Sequence, residues 1–296
     1  MTMLMRDQEN VKMVKIISDS TCDLSGELLE KYEVSILPLH VILGERECED
    51  GRDISPDDIY QWSDEHKTTP KTSAPALDKA MDLLRPYVEA GTEVVCFSIS
   101  EEMSASANVM RLAAEELDGS HLVTVINSAN LSTGIGLLVI EAAIMAREGK
   151  NAQEIARKME ELKPFVRASF VVDTLVYLHR GGRCSGLAAM AGGALKLHPK
   201  IVVEDGRMKP SKKYRGKMNK VLMDYVNEME NDLRHAKKNR VFITHSGCHN
   251  ETVEMIYAYL QNLNIFDEIL VTRAGGVISS HCGPGTLGVL FIAKNV

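Results

Sequence analysis

Apolar and polar positions alternate along this chain in two rhythms. Short apolar runs at 14–18, 94–98 and 121–126 read as strands, the one at 94–98 as a buried strand. Between them, apolar residues recur every three or four positions, which predicts helices over 24–31, 77–90, 104–117, 130–148 and 152–162. Ser55-Pro56-Asp57-Asp58 starts a further helix over 57–65, with serine as cap, proline in the first turn and acids at the positive dipole end. The segment 34–43 is strand-like around Pro38, so it is expected at an edge or in an irregular strand. Strand–helix alternation of this kind predicts a parallel sheet covered by helices.

After Lys163-Pro164 the rhythm changes. Strands are expected at 168–172 and 200–203, then a turn at Glu204-Asp205-Gly206-Arg207 and a return strand over 208–213. A long amphipathic helix over 217–236 follows, then strands at 241–244 and 268–271 flanking a helix over 250–263, and a last strand at 287–293. A hairpin followed by strand–helix–strand predicts a mixed or antiparallel sheet. The fold class is therefore α/β with two domains, 1–165 and 166–296.

The 296 residues are enough for two cores. Apolar content of 45% and charged content of 25% are those of a soluble globular protein. Aromatics at 5% and a net charge of −7 argue against nucleic-acid binding. The densest basic stretch, Lys209 to Lys217, suits an acidic protein partner. The apolar stretch around 131–146 is interrupted by Gly134, Gly136 and Glu141, so it reads as a buried helix and not a membrane span. The N-terminus lacks a signal-peptide core, and the six cysteines form no CxxC pair, so reduced thiols and a cytoplasmic location are expected.

Candidate chemistry gathers at strand ends. Ser18-Asp19-Ser20-Thr21, then Ser98, Ser100 and Ser104, then Asn127-Ser128 follow successive strands, and Thr72-Ser73 precedes a helix. His179-Arg180-Gly181-Gly182-Arg183 combines a glycine pair with a forked cation suited to a carboxylate or phosphate, ahead of a helix-like segment at 187–197. His281, before Gly283-Pro284-Gly285, can donate to an anion. Walker, GxSxG and HExxH patterns are absent, no GxGxxG follows a strand, and His245 and His249 lack a nearby carboxylate or cysteine pair at ligand spacing, so no metal or cofactor is expected. A hydrolase or phosphotransferase using Ser100 or Ser104 with His281 is the competing reading.

Taken together, SDSTCDL at 18–24, PKTS at 70–73, SIS…MS at 98–104, LVYLHRGGR at 175–183, KPSKKYRGK at 209–217 and HCGPGTLGV at 281–289 resemble the DegV family of bacterial fatty-acid-binding proteins. The resemblance implies a parallel N-terminal domain and a C-terminal domain with a largely antiparallel sheet. It implies a long-chain fatty acid, such as palmitate, stearate or oleate, in a tunnel of the C-terminal domain with its carboxylate at the domain interface. The head-group residues carried over are Thr72, Ser73, Ser100 and Ser104, with Arg183 and His281 nearby. It also implies presentation of the acid to a separate fatty-acid kinase for phospholipid synthesis, the protein itself supplying no catalysis; Arg215 is the residue expected at that contact. The small-residue segment 187–195 is expected as tunnel wall, since Ala and Gly leave room there. The chain has TSAPA at 72–76 where the family usually has TSQPS. It has ISEEMSASA at 99–107 where the family has a second serine, which puts Glu101 near the carboxylate.

Overall fold

The computed structural model describes residues 13–184 and 197–294. The N-terminal half holds a four-stranded parallel sheet of β1 (Lys15–Asp19), β2 (Ser35–Leu37), β6 (Val94–Ser98) and β7 (Val123–Asn127), in the order β2-β1-β6-β7. From β1 the chain moves outward to β2 and later returns on the other side to β6. The crevice between the carboxyl ends of β1 and β6 is thus the topological switch point, where open sheets bind ligands. Helices α1 (Gly26–Tyr32), α3 (Leu77–Glu89), α4 (Ser106–Glu116), α5 (Thr133–Arg147) and α6 (Ala152–Leu162) pack around this sheet.

The strand-like segment 34–43 is broken at Pro38-Leu39, and its two parts join different sheets. β2 stays in the parallel sheet, while β3 (His40–Leu43) pairs with β4 (Arg46–Glu49) and β5 (Lys71–Ser73) in a small antiparallel sheet. The periodicity does not predict β4 or β5, because one is nearly all charged and the other spans three residues. The helix start at Ser55 is as expected: α2 (Pro56–His66) opens with a reciprocal Ser55–Asp58 capping box.

The C-terminal half forms a six-stranded sheet in the order β10-β9-β8-β13-β11-β12. Its strands are β8 (Val166–Val171), β9 (Leu197–Glu204), β10 (Arg207–Arg215), β11 (Ala236–His245), β12 (Glu268–Arg273) and β13 (Leu287–Ala293). Only β11 and β12 run parallel. Asp205 and Gly206 both have positive φ (51° and 74°), the backbone that a two-residue hairpin turn requires. The helix expected over 217–236 is shorter. It tightens at Met229, giving α8 (Met218–Glu228) and α9 (Glu230–Arg234), and β11 begins at Ala236. Polar Lys237-Lys238-Asn239 hides that strand start from any period-two pattern. α10 (Asn250–Asn262) covers the same sheet. Two short helices, α7 (Val176–Gly181) and α11 (Gly276–Cys282), stand at its end; α11 packs on α7, α2, β3 and β5.

α5 lies between the two large sheets. It is buried on almost every side, from Thr133 to Ala143, and its apolar residues share one continuous core with strands of both halves. That follows from its sequence, which offers no polar stripe to face water. Its one acid, Glu141, meets buried Arg240 at 3.2 Å and accepts from Asn239 at 2.7 Å. None of the described helices is long and apolar enough to cross a membrane.

The hairpin turn presses on the N-terminal half. Ser100 Oγ donates to Gly206 O at 2.7 Å, and Arg207 pairs with Glu102 at 2.6 Å. A Cβ on Gly206 would stand 2.5 Å from Ser100 Oγ, on a backbone with φ of 74°. Gly206→Ala is therefore expected to destabilise the protein by more than about 1 kcal/mol. Ser100→Ala should cost about 1 kcal/mol. Chemical denaturation of both variants checks this, and a Gly206→Ala midpoint equal to wild type would remove the contact from the fold's determinants.

Candidate functional site

A cavity of about 230 Å³ opens at the switch point and reaches the C-terminal half. Its walls are largely apolar, with Leu39, Ile99, Met103, Leu131, Met208 and Ile278 among them. Five of the residues proposed from sequence line it as well: Thr72, Ser73, Ser104, Arg183 and His281. They arrive from β5, from the loop after β6, from the turn after α7, and from α11.

The sixth, Ser100, is not among the lining residues. It is fully buried, and its hydroxyl is committed to the hairpin carbonyl of Gly206. Glu101 is exposed and turned onto Arg111 at 2.5 Å, so it does not line the cavity either. Arg215 is exposed at the end of β10 and forms no ion pair among the described residues. The tunnel wall expected at 187–195, and the helix over 187–197 up to Lys196, lie outside the described residues.

His281 Nε2 lies 2.8 Å from Thr72 Oγ1. Nδ1 is buried with no hydrogen-bond partner, and the chain at Gly181 comes so close that a Cβ there would stand 2.3 Å from it. Burial first, and then the charge of Arg183, lowers the His281 pKa to about 4. The imidazole is therefore neutral at pH 7. Its single proton belongs on Nε2, because a bare ring nitrogen against Gly181 costs less than a stranded N–H donor. Nε2–H then donates to Thr72 Oγ1, which leaves the threonine O–H free to point into the cavity. Arg183 is exposed at the mouth, with Nη1 donating to Gly181 O at 2.7 Å. The polar end of the cavity thus presents hydroxyl donors and one fixed cation, which suits an anionic head group.

Three buried aspartates that the sequence reading passed over, or gave no binding role, build this end of the fold. Asp19 ends β1 and receives Ile99 N at 2.8 Å and Ser106 Oγ at 2.8 Å, which fixes the loop carrying Ser104. Asp23 receives Ser132 Oγ at 2.5 Å and Gly275 N at 2.8 Å. Asp50 receives Ser20 Oγ at 2.8 Å and Gly276 N at 2.6 Å. Burial raises the pKa of all three, Asp23 to about 8. Their hydrogen bonds are to hydroxyls and amides. Among the described residues no group of three or more His, Cys, Asp or Glu is placed to hold a metal ion. The signal that could have found Asp23 and Asp50 is the glycine pair at 275–276, which leaves a helix start bare enough for carboxylates to approach.

A second, smaller apolar void of about 30 Å³ shares Leu131, Ile278 and Cys282 with the first, and continues to Phe170 and Leu290 between the sheets.

Comparison with known proteins gives this geometry its relatives. The family model described as "Uncharacterised protein, DegV family" matches residues 13–294. A fatty acid-binding protein of Thermotoga maritima is 31% identical over 286 residues, spanning 93% of this chain and 96% of its own length. Among solved structures, a fatty-acid-binding DegV family protein from Thermus thermophilus superposes with a TM-score of 0.87 at 29% identity, covering 95% of this chain and all of its own. A stearic acid-binding protein from Eubacterium ventriosum superposes with a TM-score of 0.81 at 31% identity, covering 95% of this chain and 99% of its own. With a match over nearly its whole length and the same two-sheet fold, the chain belongs to the DegV family.

Proposed function

We propose that the protein binds a long-chain fatty acid, with the carboxylate at Thr72, Ser73, Ser104, Arg183 and His281 and the acyl chain in the apolar cavity. The observation that carries this reading is the lining of one cavity: hydroxyls, a neutral histidine and a guanidinium set among aliphatic and thioether walls. The fatty-acid-binding relatives support it. Each buried CH₂ contributes about 0.8 kcal/mol, so the walls supply most of the affinity and the polar end supplies orientation. An acyl chain too long for the 230 Å³ cavity has to part Leu131, Ile278 and Cys282 and enter the smaller void behind them. Met103 and Met208 have side chains that adapt to such a passenger.

In this reading the chain divides near Lys163-Pro164, and the site draws on both parts. The bound acid is presented to a separate kinase, and the exposed Arg215 is the proposed contact. Geometry favours this over a cleft hydrolase. A nucleophile needs a base oriented by a third group. Here Ser100 is bonded to Gly206, Ser104 Oγ accepts from Ser106 N at 3.3 Å, and His281 Nδ1 has no orienting partner among the described residues.

An organic extract of the purified, denatured protein should contain a C16–C18 fatty acid at about one per chain by mass spectrometry. An empty extract, together with no binding of added palmitate or oleate, would overturn the reading. Arg183→Ala should lower the preference for palmitate over hexadecanol by about fivefold in calorimetry, since an exposed guanidinium contributes about 1 kcal/mol. An unchanged preference removes Arg183 from the head-group site. The His281 ring should titrate near pH 4 in the lipid-free protein and at higher pH once a carboxylate sits beside Thr72. In the lipid-free protein the native state binds fewer protons at His281 than the unfolded chain between about pH 4 and the usual 6.5. His281 should therefore contribute a rise of stability with pH across that window, against the fall contributed by the raised Asp19, Asp23 and Asp50, so wild type should gain stability relative to His281→Asn as pH climbs from about 4 to 6.5.

A further inference from the structure

We infer that Asp23 and Asp50 are positioning residues for the head-group site. From two separate loops of the N-terminal half, they seat the first turn of α11 and so set where His281 stands relative to Thr72. The functional part of this inference rests on the fatty-acid reading above, whereas the geometric part does not.

The two carboxylates meet consecutive backbone amides. Asp23 Oδ1 accepts from Gly275 N at 2.8 Å, and Asp50 Oδ1 accepts from Gly276 N at 2.6 Å. Both acids are buried, 5% and 3% exposed, so these bonds are shielded from water. Neither has a cation within ion-pair distance among the described residues. The glycines belong to the same device. A Cβ on Gly276 would stand 2.9 Å from Asp50 Oδ1 and 3.0 Å from Ile59 Cδ1, and one on Gly275 would stand 3.2 Å from Asp23 Oδ1.

Asp50 also holds the opposite side of the contact. Its backbone N–H donates to Leu39 O at 2.8 Å. Its Oδ2 accepts from Ser20 Oγ, which in turn accepts from Leu39 N at 3.1 Å. Leu39 lines the cavity and leads directly into β3, whose neighbour β5 carries Thr72. One side chain and its own amide therefore fasten both supports of the Thr72–His281 pair: α11 on one side and the β3–β5 sheet on the other. Val277, Ile278 and Cys282, which also line the cavity, ride on the same short helix.

A neutral amide could accept the same two N–H groups. Burying two acids near each other, with Asp19 adding to the repulsion, is costly unless they are protonated or strongly hydrogen-bonded. Other titratable groups around the seat are Cys22, Cys282 and Tyr60. Burial holds all three above their ordinary values, so they are neutral at pH 7 and leave the acids as the local charge that can change.

The test uses Asp50→Ala, Asp50→Asn and the milder Ser20→Ala in the full chain, with two measurements. The first is the His281 ring titration by proton NMR in lipid-free protein. The second is the affinity for palmitate and for hexadecanol by calorimetry. In Asp50→Ala the His281 pKa is expected to move up from about 4 toward the usual 6.5, and the palmitate-over-hexadecanol preference to fall about fivefold or more. Asp50→Asn, which keeps an acceptor for Gly276 N, is expected to restore most of both, and Ser20→Ala to lie between. An unmoved His281 titration, with both lipids weakened by one common factor, would overturn the inference and leave Asp50 a plain packing residue. If wild type binds neither lipid, the fatty-acid reading fails, and the His281 titration alone decides the positioning claim. If Asp50→Ala does not fold, Asp50→Asn and Ser20→Ala decide it: His281 values equal to wild type in both would overturn it, and a graded shift would support it.

Discussion

Everything in this molecule is arranged around one helix that has no side for water. α5 is apolar through Ile135, Leu137, Leu138, Val139 and Ile140, all fully buried, and it can be satisfied only by cover on both faces. The parallel sheet supplies one cover and the six-stranded sheet the other, in a single core. The two sheets are therefore held in fixed relation by the same burial that makes each of them stable. A cavity at their junction inherits that rigidity, although its walls come from loops.

Within that frame, desolvation sets the chemistry. It keeps His281 neutral, and the close approach of Gly181 to Nδ1 then leaves the imidazole proton on the side of Thr72. It also raises three aspartates that have no buried cation, and turns them into acceptors for backbone amides and hydroxyls. Polar groups at the cavity are thereby donors, while the groups that hold them in place are acceptors. This division gives the cavity donors and a cation with no metal-like cluster of ligands among the described residues.

Much of this was legible in the residues, and the parts that were not share a cause. α5 announced its burial by having no polar stripe, α2 its start by Ser55 and Asp58, and the hairpin its turn by Asp205-Gly206. These are local signals, carried by neighbours in sequence. The β3–β4–β5 sheet left no such trace, because Arg46–Glu49 is charged and Lys71–Ser73 is very short. Strand β11 began invisibly in Lys237-Lys238-Asn239, and helical spacing ran on through Met229 where the chain tightens. At the site, motifs pointed to Thr72, Ser73, Ser104, Arg183 and His281, which the fold gathers at one cavity. What no motif conveyed was direction. Ser100 faces the hairpin and Glu101 faces Arg111, and only tertiary contacts decide that.

The contacts that close the cavity join residues very far apart along the chain. Ser100 and Gly206 are separated by 106 positions, Thr72 and His281 by 209, and Asp50 and Gly276 by 226. On a ribosome, the parallel sheet and α5 emerge long before β13, one of the strands that cover the far side of that helix. Until β13 is made, the most apolar of the described helices is a partly uncovered, sticky surface on a partly folded chain. Biogenesis therefore has a vulnerable interval that the finished protein does not show. Any handling of the nascent chain by chaperones should fall between the synthesis of α5 and that of β13, and the cavity lacks a wall until α11 has been made.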